Sequence, residues 1–304
     1  MKKILVVGSV NMDLVINCPR MPLLGETLHG RDFSVVEGGK GANQAVSAAR
    51  LGCDVSMLGA VGRDMYGDRL LANLEENGVS TEGISRTEGS SGVAMITVVN
   101  GDNFIILEKG ANGKVDEAMV RGNRALIEAC DIMVLQFEIT MEAVLAAAKM
   151  AHEAGKTVIV NPAPVTEFPK ELYGYTDIFI PNQHEAGLLL NREIRTVEDG
   201  KQALMAFVKL GVKNPLITMG EQGSVFFDGQ KACHLPAYKV KAVDSTGAGD
   251  SYIGGLCAAF SDGKPLSEAV KFATAVSAVT VMSYGASPSF PTRERVSDFL
   301  KEWE

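Results

Sequence analysis

Residues 242–256 read AVDSTGAGDSYIGGL, and Asp250 falls just after two glycines and just before an apolar run of helical length. Glycines at a helix entry let the chain turn tightly and let a ligand approach the backbone. The first amides of that helix have no intrahelical partner and so form a site for an anion. A carboxylate in this first turn has two readings. It caps its own helix, or it is a base standing beside an anion hole. A cap needs only the carboxylate, whereas a base for phosphoryl transfer also needs an open surface and free amides beside it. The catalytic candidates are therefore Asp250 and the backbone of Gly247, Ala248 and Gly249.

Outward from this stretch the chain alternates between short apolar runs and amphipathic segments. Three helices are expected at 248–261, 266–284 and 292–302. Upstream, KILVVGSV, DVSMLGAVG, DIMVLQF, KTVIVNPAP, DIFIPN and NPLITMG read as strands. NQAVSAARLG, GDRLLANLEENG and MEAVLAAAKMAHEAG read as helices closed by Gly52, Gly78 and Gly155. This rhythm predicts an α/β fold, a doubly wound and mostly parallel sheet with helices on both faces. Ligands in such folds bind beyond the carboxyl ends of the strands.

Two stretches, about 11–36 and 92–110, break the rhythm. The first has strand-like pieces and no helix. The second is a hairpin turning at Asn100-Gly101-Asp102-Asn103. Together they predict a small β-sheet lid inserted in a single domain spanning 1–304. Val15, Val35, Ile96 and Val98 are expected on an apolar outer face that a second copy of the chain covers, giving a homodimer.

With 304 residues, 46% of them hydrophobic and 22% charged, the chain suits one large soluble domain. A net charge of −8 argues against a nucleic-acid surface, but not against a small anion bound by backbone amides. The five cysteines form no C-x-x-C pair and the four histidines show no metal spacing, so neither a disulfide framework nor a zinc site is expected. The N-terminal apolar run is interrupted by Gly8, Ser9 and Asn11, too early for a signal peptide, and no membrane span is visible. The expected location is cytoplasmic. The thirteen methionines read as core filler.

Neither the Gly247 nor the Gly39 cluster matches the Walker-A or G-x-G-x-x-G patterns. The run EGGKGANQA at 37–45 leads glycines into a second helix and places Asn43 near its start. Asn11 and Asp13, two apart after the first strand, point the same way and suit sugar hydroxyls. A helix start and an ordinary turn are the plainer readings of these two elements.

The set GSVNMDLV, GGKGANQA, PNQHE and DSTGAGDSY, in this order and spacing, resembles the ribokinase-like (PfkB) carbohydrate kinase family over essentially the whole chain. NPAP at 161–164 and GASPS at 285–289 resemble its ribokinase branch in particular. One departure is Thr246-Gly247-Ala248, the form commoner in the wider family. The resemblance implies ATP-dependent phosphorylation of the ribose 5-hydroxyl with Asp250 as base. It implies that Asn11, Asp13, Gly39, Lys40, Asn43 and Glu138 contact the sugar. Asn182, Thr218, Met219, Gly220, Glu221, Gln222, Gly223, Gly249 and Thr274 would border ATP, and Glu185 would organise Mg2+ through water. Asp244, Thr246, Thr280, Ser283, Gly285 and Ser289 would surround K+. Two alternatives remain open here: another small-sugar or nucleoside kinase, such as a deoxyribose kinase or fructokinase, and a non-catalytic sugar-binding regulator.

Overall fold

The structure, a computed structural model, describes residues 2–99 and 102–303. Its strands are β1 (Lys3–Val7), β2 (Asn11–Asn17), β3 (Arg31–Gly38), β4 (Asp54–Gly62), β5 (Val79–Thr87), β6 (Gly92–Val99), β7 (Asp102–Glu108), β8 (Ile132–Leu135), β9 (Thr157–Val160), β10 (Ile178–Phe179), β11 (Asn214–Thr218), β12 (Ser224–Phe227) and β13 (Ala232–Leu235). Its α-helices are α1 (Lys40–Arg50), α2 (Met65–Glu76), α3 (Glu117–Gly122), α4 (Arg124–Ala129), α5 (Met141–Glu153), α6 (Gln183–Leu190), α7 (Val197–Lys209), α8 (Ala248–Ser261), α9 (Leu266–Thr280) and α10 (Arg293–Trp303).

Nine strands form one sheet in the order β13-β12-β11-β10-β9-β8-β1-β4-β5. It is parallel from β5 to β11 and antiparallel from β11 through β12 to β13. The alternation of β1 shows why it is wound on both sides. Ile4 and Val6 join a core with residues of α1, α8, α9 and α10, whereas Leu5 and Val7 join another with residues of α5 and α7. A strand buried on both faces needs the continuous apolar run that the sequence shows. The strand order reverses beside β1, so the chain leaves β1 and β8 around a crevice at their carboxyl ends.

The second sheet has the order β3-β2-β6-β7. β2–β3 and β6–β7 are antiparallel, while the central β2–β6 pairing is parallel. β2, β6 and β7 lie inside the stretches 11–36 and 92–110, and β3 runs two residues past the first, to Gly38; the turn residues Asn100 and Gly101 lie outside the described residues. The expected outer face needs correction. Val35 pairs with Leu14 and packs with it against the main core, whereas Val15 pairs with Ile96, on the same side as Asp13. Lid side chains alternate in direction, so one stretch cannot put Val15 and Val35 on one face.

Three further differences have physical reasons. The edge strand β5 carries a partly polar face and so has no apolar run to reveal it. The four-residue strands β12 and β13 sit at the opposite edge. The helix expected at 266–284 stops at Thr280, and Val281 turns to accept from the amides of Val243 and Asp244. All five cysteines are free, with Cys53, Cys130 and Cys257 buried. No helix among the described residues is long and apolar enough to cross a membrane.

Candidate active site

The crevice gathers residues from the ends of five neighbouring strands. Ser9 and Asn11 follow β1, Glu138 follows β8, Asn161 follows β9, Asn182 follows β10 and Thr218 closes β11. Helices α1 and α8 point their N-termini into the same space. A cleft of about 180 Å³ there is lined by Lys40, Asn161, Asn182, Glu185, Thr218, Gly249 and Asp250 among others.

Close approach explains the glycine in the first turn of α1. A Cβ on Gly41 would lie 2.6 Å from the amide nitrogen of Ser9, so helix and β1 can meet only without a side chain there. The contact puts Ser9 and the helix start around Glu138. Its Oε2 accepts from the Lys40 amide at 3.1 Å, from the Ser9 hydroxyl, and from Asn11 Nδ2 at 3.5 Å. One carboxylate oxygen thus anchors the helix start and leaves the other free.

Gly247 adopts φ +76 before α8, and a Cβ there would strike Ala286 and Phe290. Asp250, in the first turn of α8, does not cap that helix. Its Oδ2 accepts from Asn43 Nδ2 at 3.1 Å and its Oδ1 from Gln44 Nε2 at 2.9 Å. The capping reading is therefore set aside: both carboxylate oxygens are held from α1. A Cβ on Gly249 would meet nothing within 4 Å, so the helix start faces open space. The expected anion hole needs one change. The Ala248 amide donates to Ser245 O within its own turn, while the amides of Gly247, Gly249 and Asp250 make no backbone bond among the described residues.

Asp13 stands on β2 on the same side as Asn11, and the missing side chain of Gly38 leaves room for its carboxylate. Burial pushes Asp13 up to about 7, the Glu138 and Asp250 carboxylates add to this, and Lys40 opposes it. Burial also raises Asp250. Lys40 and the donors Gln44 and Asn43 work against that rise, and Glu138 adds to it. For Lys40 burial acts downward, but the carboxylates of Asp250, Glu138, Glu185 and Asp13 outweigh it and hold the ammonium above its usual range. One cation thus sits among four acidic groups.

Asn182 and Glu185 form a capping box at the start of α6, each side chain accepting from the other's amide at 2.8 Å. The spacing has a structural job, and Glu185 still lines the cleft. Burial raises its pKa, with the Asn182 amide and Lys40 opposing. Met219 places its side chain in the core, so only its backbone is available. Gly220, Glu221 and Gln222 form an exposed 3-10 turn closed by Gly223. Thr274, on α9, is 6% exposed and its hydroxyl donates to Val270 O at 2.8 Å.

The two loops of the expected cation site do meet. Asp244 Oδ1 accepts from the Thr246 amide at 2.9 Å and from its hydroxyl, and Oδ2 accepts from the Gly285 amide at 2.9 Å. Hydrogen bonds hold Asp244 low against burial. The Thr280 and Ser289 hydroxyls donate to Val276 O and Ala286 O, and the Ser283 amide donates to Thr280 O.

Sequence reasoning missed Ser9, Gln44, Asn112, Gln136 and Asn161. Gln44 is adjacent to Asn43 in GGKGANQA, and Asn161 opens NPAP, so the signal was in motifs already singled out. Asn112 is fully buried and clamps Val10 and Asn11 where the lid leaves β1, a long-range role that local pattern does not show.

The model of the pfkB family carbohydrate kinases matches residues 1–293. The chain belongs to this carbohydrate kinase family. It is 41% identical to a ribokinase of Schizosaccharomyces pombe, covering 96% of each chain. It is 35% identical to a deoxyribokinase of Salmonella typhi, covering 98% of each. Among solved structures, an Arabidopsis thaliana ribokinase complexed with ribose and ATP superposes with TM-score 0.92 at 33% identity, covering 99% of each chain.

Proposed function

We propose that the chain transfers the γ-phosphoryl group of ATP to the 5-hydroxyl of D-ribose. The observation that carries this reading is a buried carboxylate, Asp250, held by two amides at the open start of α8, facing a cluster of sugar-type partners: Asp13, Asn43, Glu138 and Lys40. The full-length similarity to ribokinases supports ribose as the sugar. A non-catalytic regulator would not need its carboxylate clamped beside free amides.

In the reaction the hydroxyl proton passes to Asp250 as the sugar oxygen attacks the γ-phosphorus. The bond from that phosphorus to the bridging oxygen breaks, and the electron pair leaves with ADP. The amides of Gly247, Gly249 and Asp250 face the charge that builds on the moving group, and Lys40 lies beside it. Asn11, Asp13, Gly39, Asn43 and Glu138 hold the sugar. Asn182 and the turn from Thr218 to Gly223 border the nucleotide.

Magnesium would supply charge neutralisation on the phosphates. Among the described residues no three acidic, histidine or cysteine side chains are placed to hold a metal ion by themselves, so the ion would be carried on phosphates and water with Glu185 nearby. A monovalent cation fits the hard oxygen donors of Asp244, Thr246, Thr280, Ser283, Gly285 and Ser289, and it would steady the loop that presents the anion-hole amides. The lid would shut out water as it brings Asn11 and Asp13 to the sugar. Its apolar residues Ile96 and Ile105 pair on the side that carries Asp13, with Ile105 55% exposed, and suit contact with a second copy.

The test is ADP release measured over a panel of ribose, 2-deoxyribose, fructose and nucleosides. Ribose should give the highest kcat/KM. A preference for 2-deoxyribose or for a nucleoside would replace ribose in this reading, and release with no sugar in the panel would overturn it.

A further inference from the structure

Behind Asp250 lies a chain of buried amides that the reaction as written does not use. Gln44 is 1% exposed. Its Nε2 donates to Asp250 Oδ1 at 2.9 Å and to Asn161 Oδ1 at 3.2 Å, and its Oε1 accepts from Gln136 Nε2 at 2.7 Å. The direction of every amide in this chain is forced. Asn161 Nδ2 donates to Ile180 O at 2.8 Å. A carbonyl only accepts, so Asn161 must turn its oxygen toward Gln44. The Asp250 carboxylate also only accepts. Gln44 must therefore present its NH2 to both and its oxygen to Gln136, and Gln136 must present its NH2 in return.

The chain ends on Gln136 Oε1, which is fully buried and has no partner among the described residues. It lies against Gly8, where a Cβ would come within 2.0 Å of it. A buried acceptor left unmet works against folding. The orientation of Gln44 thus uses the Gln136 NH2 and leaves the Gln136 oxygen facing Gly8.

We propose that Gln44, oriented by Gln136, is a positioning residue for the phosphoryl transfer: with Asn43 it fixes the plane of the Asp250 carboxylate and supports its charged form. This rests on the reading of Asp250 as the base. Asn43 holds Oδ2 and Gln44 holds Oδ1, so rotation of the carboxylate would break both bonds. The charged groups around it are Lys40, Glu138, Asp13 and Glu185. Lys40 is the single cation among them, and three carboxylates disfavour the charge on Asp250. The two amide donors are thus needed to keep a base ready.

Gln44→Met keeps most of the volume and removes the donors. It should lower kcat by about 10- to 100-fold, leave the ribose KM nearly unchanged, and move the acid limb of the kcat–pH profile to higher pH. Gln136→Met, which touches no reacting group, should produce the same changes in smaller measure. Combined with Asp250→Asn, Gln44→Met should add almost no further loss, because its effect runs through that carboxylate. A folded Gln44→Met with wild-type kcat and pH profile would overturn the proposal, as would a change confined to KM. If Gln44→Met does not fold, Gln136→Met decides on the same criteria. Carboxyl NMR titration of Asp250 without substrates keeps the two readings apart. If the wild type phosphorylates no sugar, the functional reading falls, yet an upward shift of Asp250 in Gln44→Met or Gln136→Met still supports the positioning role and an unchanged titration refutes it.

Discussion

Lowering the pH from about 8 to about 5 discharges Asp13 before an ordinary carboxylate, because burial and its acidic neighbours push it up to about 7. Sugar hydroxyls donate to the ionised carboxylate, so ribose binds the deprotonated form and expels the proton. Affinity must then fall as pH drops through about 7 and level off above it. With one proton linked, about one Asp13 in ten is ionised at pH ~6 and about one in a hundred at pH ~5. The dissociation constant for ribose should rise by the same factors, or about 1.4 kcal/mol per pH unit. Calorimetry without ATP reads this directly, and repeating it in buffers of different ionisation enthalpy counts the protons released. Asp13→Asn should bind weakly at every pH and lose most of the slope. Asp250 is also raised, so Asp250→Asn serves as the control for its share of the slope. A pH-independent affinity over this range, or an unchanged slope in Asp13→Asn, would refute the assignment of Asp13.

Asn43→Ala should weaken ribose binding by about 1–3 kcal/mol while ATP affinity holds; unchanged sugar affinity in equilibrium titrations would misplace the sugar site. Activity should be well above its sodium level in potassium, and Asp244→Ala should blunt that response because the carboxylate joins the Thr246 and Gly285 loops; equal rates in potassium-free buffer would reject the cation site. Wild type should be a dimer by light scattering, and Ile105→Asp should give monomers with poor sugar affinity; a fully active monomer at micromolar concentration would show that the lid closes without a partner.

Local pattern carried the fold because β1, β4, β8 and β9 are buried on both faces and show it as apolar runs, while Gly52, Gly78 and Gly155 all take positive φ just past the helices they close. The parts that escaped depend on distant pairings. β5 carries a partly polar face at one sheet edge, and β12 and β13, beside and at the other edge, are only four residues long. Which side of the lid Val35 faces depends on its register with Leu14. The site was legible wherever a glycine run leads into a helix, at Lys40 and at Ala248. The partners of Asp250 were not, because Gln44 and Asn43 reach it across more than 200 residues of sequence. The spacing from Asn182 to Glu185 was visible, but not that each caps the other.

The central claim is that Asp250 takes the proton from the ribose 5-hydroxyl as the phosphoryl group moves. The most direct measurement is phosphorus NMR of the products formed from ribose and ATP by wild type and by Asp250→Asn, with sugar binding followed in parallel. Wild type should form ribose 5-phosphate and ADP in equal amounts, and the variant should bind ribose nearly as well but turn over about 10²–10⁴-fold more slowly. Phosphorylation at another hydroxyl, or near-normal turnover in Asp250→Asn, would contradict the account.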